Sequence, residues 1–302
     1  MEDKVTGLER GGMIDKGMGW RGPSLPSIKD FTPEHEQIRP LLEGAGVGAP
    51  EEVGTSSPVD LREWFPEVED QGQLGSCTAN AGVGLVEYFQ RRAFGNHIDA
   101  SRLFLYKVTR NLMHETGDTG AYLRTTMGAL VMFGVPPEEY WPYDIAKFDR
   151  EPPPFCYAFA QSYQAVKFYR LGSPNPSAPK EALLRRIKTN LVAKLPSMFG
   201  FTVFGSISQA DETGEIPFPT LGEKIEGGHA VVAAGYDDDK RIKNSNSGEE
   251  TTGALLIRNS WGPSWGEDGY GWLPYEYVLQ GLAVDWWSLI EEEWIDTGKF
   301  RP

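Results

Sequence analysis

Cys77 closes a glycine-rich run, Asp70-Gln71-Gly72-Gln73-Leu74-Gly75-Ser76-Cys77, and stands where a helix is expected to begin. The unpaired N–H groups of a first helical turn carry partial positive charge, which lowers a thiol pKa and favours the thiolate. An isolated cysteine is ordinarily a small buried hydrophobe, but Gly72 and Gly75 permit close backbone approach at this point. Cys156, in Pro-Pro-Pro-Phe-Cys-Tyr-Ala-Phe, has no such loop and reads as core. A thiolate catalyst also needs a proton partner. His229 follows Gly227-Gly228 and opens an apolar run, so its ring can face a cleft. A lone histidine at a strand start is more often structural. His35, His97 and His114 fall in an extended arm, a loop and a polar turn and read as exposed, which leaves His229 by elimination. A third group must hold the imidazole in one tautomer. Asn259 ends the next apolar run and can accept from a ring N–H without adding charge, and Trp261 can cover the pair from water.

These residues need elements to hold them. The spacing predicts helices over Thr78 to Phe94, Ser101 to Met113 and Gly120 to Phe133, the first stopping at Gly95 and the third at Gly134. Ser177 to Lys194 predicts a further, capped helix. From Gln164 onward the pattern turns mostly to strands. His229 to Tyr236 and Ala254 to Asn259 are short apolar runs bounded by turn residues and read as core strands. A helical half followed by a strand half is an α+β arrangement with two lobes. Residues 1–57 differ from the rest, being rich in Gly and Pro, and read as an extended arm and linker. One short helix is expected there, from Thr32-Pro33-Glu34 to Leu42. Trp20, Leu25 and Phe31 would need apolar partners, so the arm is expected to dock on the body, across the cleft or bracing the back of the molecule.

Composition narrows the classes. The chain has 302 residues with 40% hydrophobic residues, enough for a core. Its 29 basic and 43 acidic residues give a net charge of −14, which repels phosphates and anionic lipid. No apolar run is long enough to span a membrane, and the start has no apolar segment of a secretory signal; a cytoplasmic, monomeric protein is the expectation. Two cysteines exclude a disulfide framework and a Cys-only zinc site, and no cofactor or metal is expected.

Four segments together resemble the papain-like cysteine peptidases. Gln71 lies six residues before Cys77, with Gly75-Ser76-Cys77. Gly228-His229-Ala230-Val231 precedes Gly235-Tyr236. Asn259-Ser-Trp-Gly-Pro-Ser-Trp-Gly266 continues to Gly269-Tyr270, and Pro58-Val59-Asp60-Leu61-Arg62 resembles the start of a mature enzyme. The order is Gln, Cys, His, Asn, and Cys77 and His229 are 152 positions apart. The resemblance implies a papain-like two-lobe fold over 58–290. Its helical lobe would span about 66–163 and its β-barrel-like strand lobe about 164–290, with 58–65 crossing over; 291–302 would be a tail. Where the family carries a further cysteine ahead of Gly-Ser-Cys this chain has Leu74, and where it carries Trp after the nucleophile it has Thr78. The usual disulfide of the helical lobe is therefore lost, and the arm lacks a long helical prosegment pattern.

The resemblance implies an endopeptidase that passes through a thioester. Cys77 would attack a peptide carbonyl and His229 would protonate the leaving amine, oriented by Asn259. The Gln71 amide and the Cys77 backbone N–H would stabilise the oxyanion. Gly120-Ala121 would pair with substrate backbone, or else simply start a helix. Gly228 and Trp261 would line the cleft. Matching Gly281-Leu282 to a family Gly-Leu pair places Asp285 near the floor of the pocket for the residue two positions before the cleaved bond, implying a preference for Lys or Arg. Asp285 could instead turn outward or cap a backbone group beside Trp286-Trp287, leaving the pocket purely apolar. The partners expected are a peptide or protein substrate and the arm itself, as a restraint. An acyl transferase or amidase using the same residues, or a non-catalytic binding module, remains the alternative.

Overall fold

The computed structural model describes residues 16–25, 27, 29–47, 58–163, 167–173, 175 and 177–291. Much of the expected arm and linker, and nearly all of the expected tail, lie outside them.

Helices come first. After α1 (Arg39–Gly44) and the two-residue strand β1 (Val59–Asp60), the chain forms α2 (Cys77–Phe94), α3 (Arg102–Leu112), α4 (Leu123–Met132) and α5 (Pro154–Ala160). The chain then forms β2 (Lys167–Arg170), α6 (Lys180–Val192), β3 (Ser197–Phe204), β4 (Ile225–Lys243), β5 (Glu250–Arg258), β6 (Tyr270–Pro274), α7 (Tyr275–Leu279) and β7 (Ala283–Ile290). This is the expected α+β fold. Helix α2 is buried along nearly its whole length, because Ala, Gly and Val at its contacts let neighbouring elements approach closely. It ends at Gly95, whose left-handed backbone returns its N–H to the Arg91 carbonyl. The Ser101 side chain caps α3 by accepting from the Phe104 N–H.

The strands form one antiparallel sheet in the order β2-β7-β3-β4-β5-β6, with β1 added to β4. Val59 pairs with Tyr236, so the chain touches the sheet before it enters the helices. Helix α2 packs on β4, which brings the start of one against the start of the other. No described helix is long and apolar enough to cross a membrane.

Four expectations need correction. The arm helix begins at Arg39 rather than near Pro33, with turns before it, because Pro40 has no N–H and fits only a first turn. Gly120-Ala121 does not start α4; Gly120 has a left-handed backbone with φ of 69° and Ala121 forms one parallel bridge with Trp20. Helix α6 is shorter than 177–194 and has Pro179, not a side-chain cap, at its start. Leu25 is 89% exposed rather than packed, lining an open cavity of about 560 Å³ that Arg170, Lys180 and Trp286 also line. Trp20 and Phe31 do pack against the core. Among the histidines expected at the surface, His114 is exposed, whereas His35 and His97 are half-buried, His35 against the Phe31 ring.

Candidate active site

Cys77 is the first residue of α2 and is completely buried, as is His229 on β4. The Ala230 backbone, next to His229, is near enough to lower the thiol's pKa, so sulfur and imidazole belong to one site. The His229 Nε2 meets Asn259 Oδ1 at 2.7 Å, and that oxygen also accepts the Ser260 N–H at 2.8 Å. With Nε2 committed to an acceptor, the ring's other nitrogen, Nδ1, is buried without a hydrogen-bond partner and is the one able to exchange a proton with a thiol. Trp261 stacks on the ring at 4.7 Å between centroids and is itself met edge-on by Trp265. That lid of indoles keeps water from the His229–Asn259 bond.

Gln71 is fully buried beside them. Its side-chain oxygen accepts from the Ser260 hydroxyl, which fixes the amide so that Nε2 points away from Ser260. Nε2 donates to Leu74 O at 2.8 Å and to Gly17 O at 2.9 Å. Tyr143 supports the same loop from below: its hydroxyl shares a 2.6 Å bond with Ser76 Oγ and reaches Gln71 O at 3.0 Å. Ser260 and Tyr143 went unnoticed in the sequence; adjacency to Asn259 was a signal for the first, and nothing local marked the second.

The arm fills the groove over these groups. The Gly19 N–H meets Cys77 Sγ at 3.4 Å. Ala121 pairs with the arm through both backbone groups, receiving at its carbonyl the Arg21 N–H at 3.1 Å and donating to Gly19 O at 2.7 Å. The Trp20 N–H donates to Gly228 O at 3.2 Å. Ala121 and Gly228 are thus occupied by the arm's backbone, whereas the Gly120 N–H donates to the Tyr106 hydroxyl. The fit depends on missing side chains: a Cβ at Gly19 would lie 1.8 Å from Gly75 O, and one at Gly17 2.2 Å from Leu74 O. The Trp20 ring lies where a Cβ on Gly200 would be, 2.0 Å from its Cε2, and its indole N–H reaches Asp285 Oδ2 at 3.4 Å. Asp285 thus faces inward, and its other oxygen accepts the Trp287 indole N–H at 2.7 Å. The alternative of an outward Asp285 or a backbone cap is not seen, since both oxygens accept from indole N–H groups. Burial raises its pKa, against the lowering effect of the two indoles.

Electrostatics correct one expectation. A helix start was expected to lower the thiol pKa, yet burial pushes Cys77 up to about 11, outweighing the backbone N–H groups directed at it. Burial likewise pushes His229 down to about 4, against the raising effect of Asn259. The reason is the arm, which covers Cys77 and helps to exclude the water that would solvate either charge. Cys156 is buried with its sulfur on Tyr140 O, as core. Elsewhere Glu69, Asp99 and Glu138 bring carboxylate oxygens within 4.8 Å of one another, and the Arg102 guanidinium pairs with Glu69 and Glu138.

Comparison with known proteins fits this geometry. The profile described as papain family cysteine protease matches residues 55–279. An uncharacterized peptidase C1-like protein of Acanthamoeba polyphaga mimivirus is 34% identical over 238 residues, covering 77% of this chain and 72% of that protein. Chicken (Gallus gallus) cathepsin K is 29% identical over 70% of this chain, which spans only 57% of the cathepsin's length. Among solved structures, xylellain, a cysteine protease from Xylella fastidiosa, superposes with a TM-score of 0.70 at 31% identity, covering 94% of this chain and 98% of that one. Bromelain from Ananas comosus, solved with the E64 inhibitor, shares the fold at 20% identity and a TM-score of 0.57, over 79% of this chain and all of that one.

Proposed function

The chain belongs to the papain family of cysteine proteases, and from that premise we propose that it is an endopeptidase whose own N-terminal arm holds its cleft closed. In this reading the Cys77 thiolate attacks a peptide carbonyl once the arm has left. His229 Nδ1 takes the thiol proton, gives it to the leaving amine, and then activates the water that hydrolyses the thioester. Asn259 holds the imidazole, and Gln71 Nε2 with the Cys77 N–H stabilises the oxyanion, a donor worth about 3 kcal/mol. Gly228 and Ala121 bind the substrate backbone as they now bind residues 19–21. Trp261 excludes water, and Asp285 selects the side chain that takes the place of Trp20.

One observation carries the reading: Gln71 Nε2 and Cys77 Sγ, the two groups a scissile peptide would need, are both engaged by arm backbone. A digest of a peptide library by the wild type and by Cys77→Ala tests it. The wild type is expected to yield new peptide termini slowly, through the fraction of molecules whose arm has lifted, and the variant none. Equal digestion by both would overturn the reading, and products carrying an added amine in place of water would mark an acyl transferase.

A further inference from the structure

The reaction proposed above needs the loop before Cys77 and the extended segment at Ala121 to hold a fixed spacing, because one offers the nucleophile and the other the rail on which a peptide lies. In this chain no disulfide can set that spacing. Leu74 stands where the resembling proteases carry a cysteine, and both cysteines are free. Something else must hold the loop.

We propose that Asp118 is the positioning residue that ties the nucleophile loop to the substrate rail, through one carboxylate that bonds Gly75 directly and Gly120 by way of Tyr106. The Gly75 N–H donates to both carboxylate oxygens, at 3.0 and 3.1 Å. The Tyr106 hydroxyl donates to Oδ1 of the same carboxylate and accepts the Gly120 N–H at 3.1 Å. Gly75 and Gly120 are the neighbours of Ser76-Cys77 and of Ala121, so the chain Gly75–Asp118–Tyr106–Gly120 spans the cleft's floor from nucleophile to rail. Each bond has a distinct role. The carboxylate holds the Gly75 N–H through both of its oxygens. The Tyr106 hydroxyl extends its reach to the second N–H, donating to Oδ1 and accepting from Gly120. The Arg110 guanidinium lies 4.2 Å from the Tyr106 ring centroid and also holds Asp149 and the Gly117 carbonyl, so the loop that carries Asp118 is anchored at its base.

This assignment rests on the peptidase reading, so its test separates the two. In the full-length chain, kcat and KM for a fluorogenic peptide are compared across Asp118→Ala, Asp118→Asn and Tyr106→Phe. Misplacing reacting groups by about 1 Å lowers rates by about 100-fold. Asp118→Ala is expected to lower kcat/KM by about 10- to 100-fold, with most of the loss in kcat. Asp118→Asn keeps an oxygen for Gly75 and is expected to stay within about 3-fold of the wild type. Tyr106→Phe frees only the rail and should raise KM several-fold with kcat nearly unchanged. Amide hydrogen exchange supplies the second measurement: Asp118→Ala should unprotect Gly75 and Gly120 together, while β4 stays protected. A wild type inert toward every peptide counts against the peptidase reading; exchange then judges the clamp alone. Unchanged protection of Gly75 in Asp118→Ala, kcat/KM within twofold of the wild type, or Asn as damaging as Ala, would each overturn the assignment.

Discussion

A thiol at about 11 beside an imidazole at about 4 is a pair in which neither member carries charge near neutral pH. At pH 7 the thiolate fraction is then about 10⁻⁴, and thiolate is the species that alkylates. Iodoacetamide should therefore label Cys77 of the intact chain slowly at pH 7, with a rate rising about tenfold per pH unit until the pH nears 11. A rate already at its plateau by pH 7 would mean that the arm does not cover the sulfur in solution. The identity of these residues was legible, because two cysteines and four histidines leave few combinations to weigh. Their protonation was not. It depends on what lies above Cys77, and that part of the chain is 58 residues away in sequence. Asp118 was hidden for a related reason: a lone carboxylate in a polar loop looks like any solvated acid until Gly75 is seen beside it.

At the scale of elements, helices and strands followed from apolar spacing and from their stops, while extended segments did not. Gly120-Ala121 reads equally well as a helix start, since a single bridge at Ala121 has no period to detect. Its partner, Gly19-Trp20-Arg21, reads as part of an extended arm, because Gly19 signals flexibility in sequence and close backbone approach only in three dimensions. The close approach makes a prediction. Gly19→Val would place a Cβ 1.8 Å from Gly75 O, a backbone atom that cannot move aside as a side chain would. Gly19→Val is expected to expel the arm without cutting it and to raise hydrolysis of a small fluorogenic peptide by tenfold or more, by the logic that a ligand shifts a population only through its differential affinity. Continuous assays of the purified variant against the wild type measure this. A variant that stays folded by circular dichroism and gains no activity would show that the docked arm is no barrier to substrate.

In the whole molecule the arm's Trp20 sits where β3, β4 and β7 meet. Trp20 rests on Gly200 and Gly228 and ends at Asp285, so that pocket accepts a large side chain whose far end donates a hydrogen bond. Among reporter peptides varied at the residue two positions before the cleaved bond, Arg and Trp should exceed Leu in kcat/KM, and Glu should be poorest, repelled by a desolvated carboxylate. Asp285→Ala should remove the advantage of Arg over Leu. A wild type that prefers Leu, with a ratio the substitution leaves alone, would exclude Asp285 from selection. The position of this acid on the last strand was legible only through a resemblance; no periodicity distinguishes an inward Asp from an outward one beside two tryptophans.

Gly19 and Cys77 belong to the same chain, and this sets how the closed state responds to its surroundings. A tethered segment meets its site at an effective concentration of roughly millimolar, whatever the concentration of the protein. Diluting the intact protein therefore cannot open it, and a peptide must compete against that fixed internal level, which appears as a raised KM rather than a lowered kcat. A single cut between the arm and the body changes the order of the equilibrium from first to second. The same contacts then weaken with every dilution, so the cut molecule would open on leaving a crowded compartment while the uncut one would not.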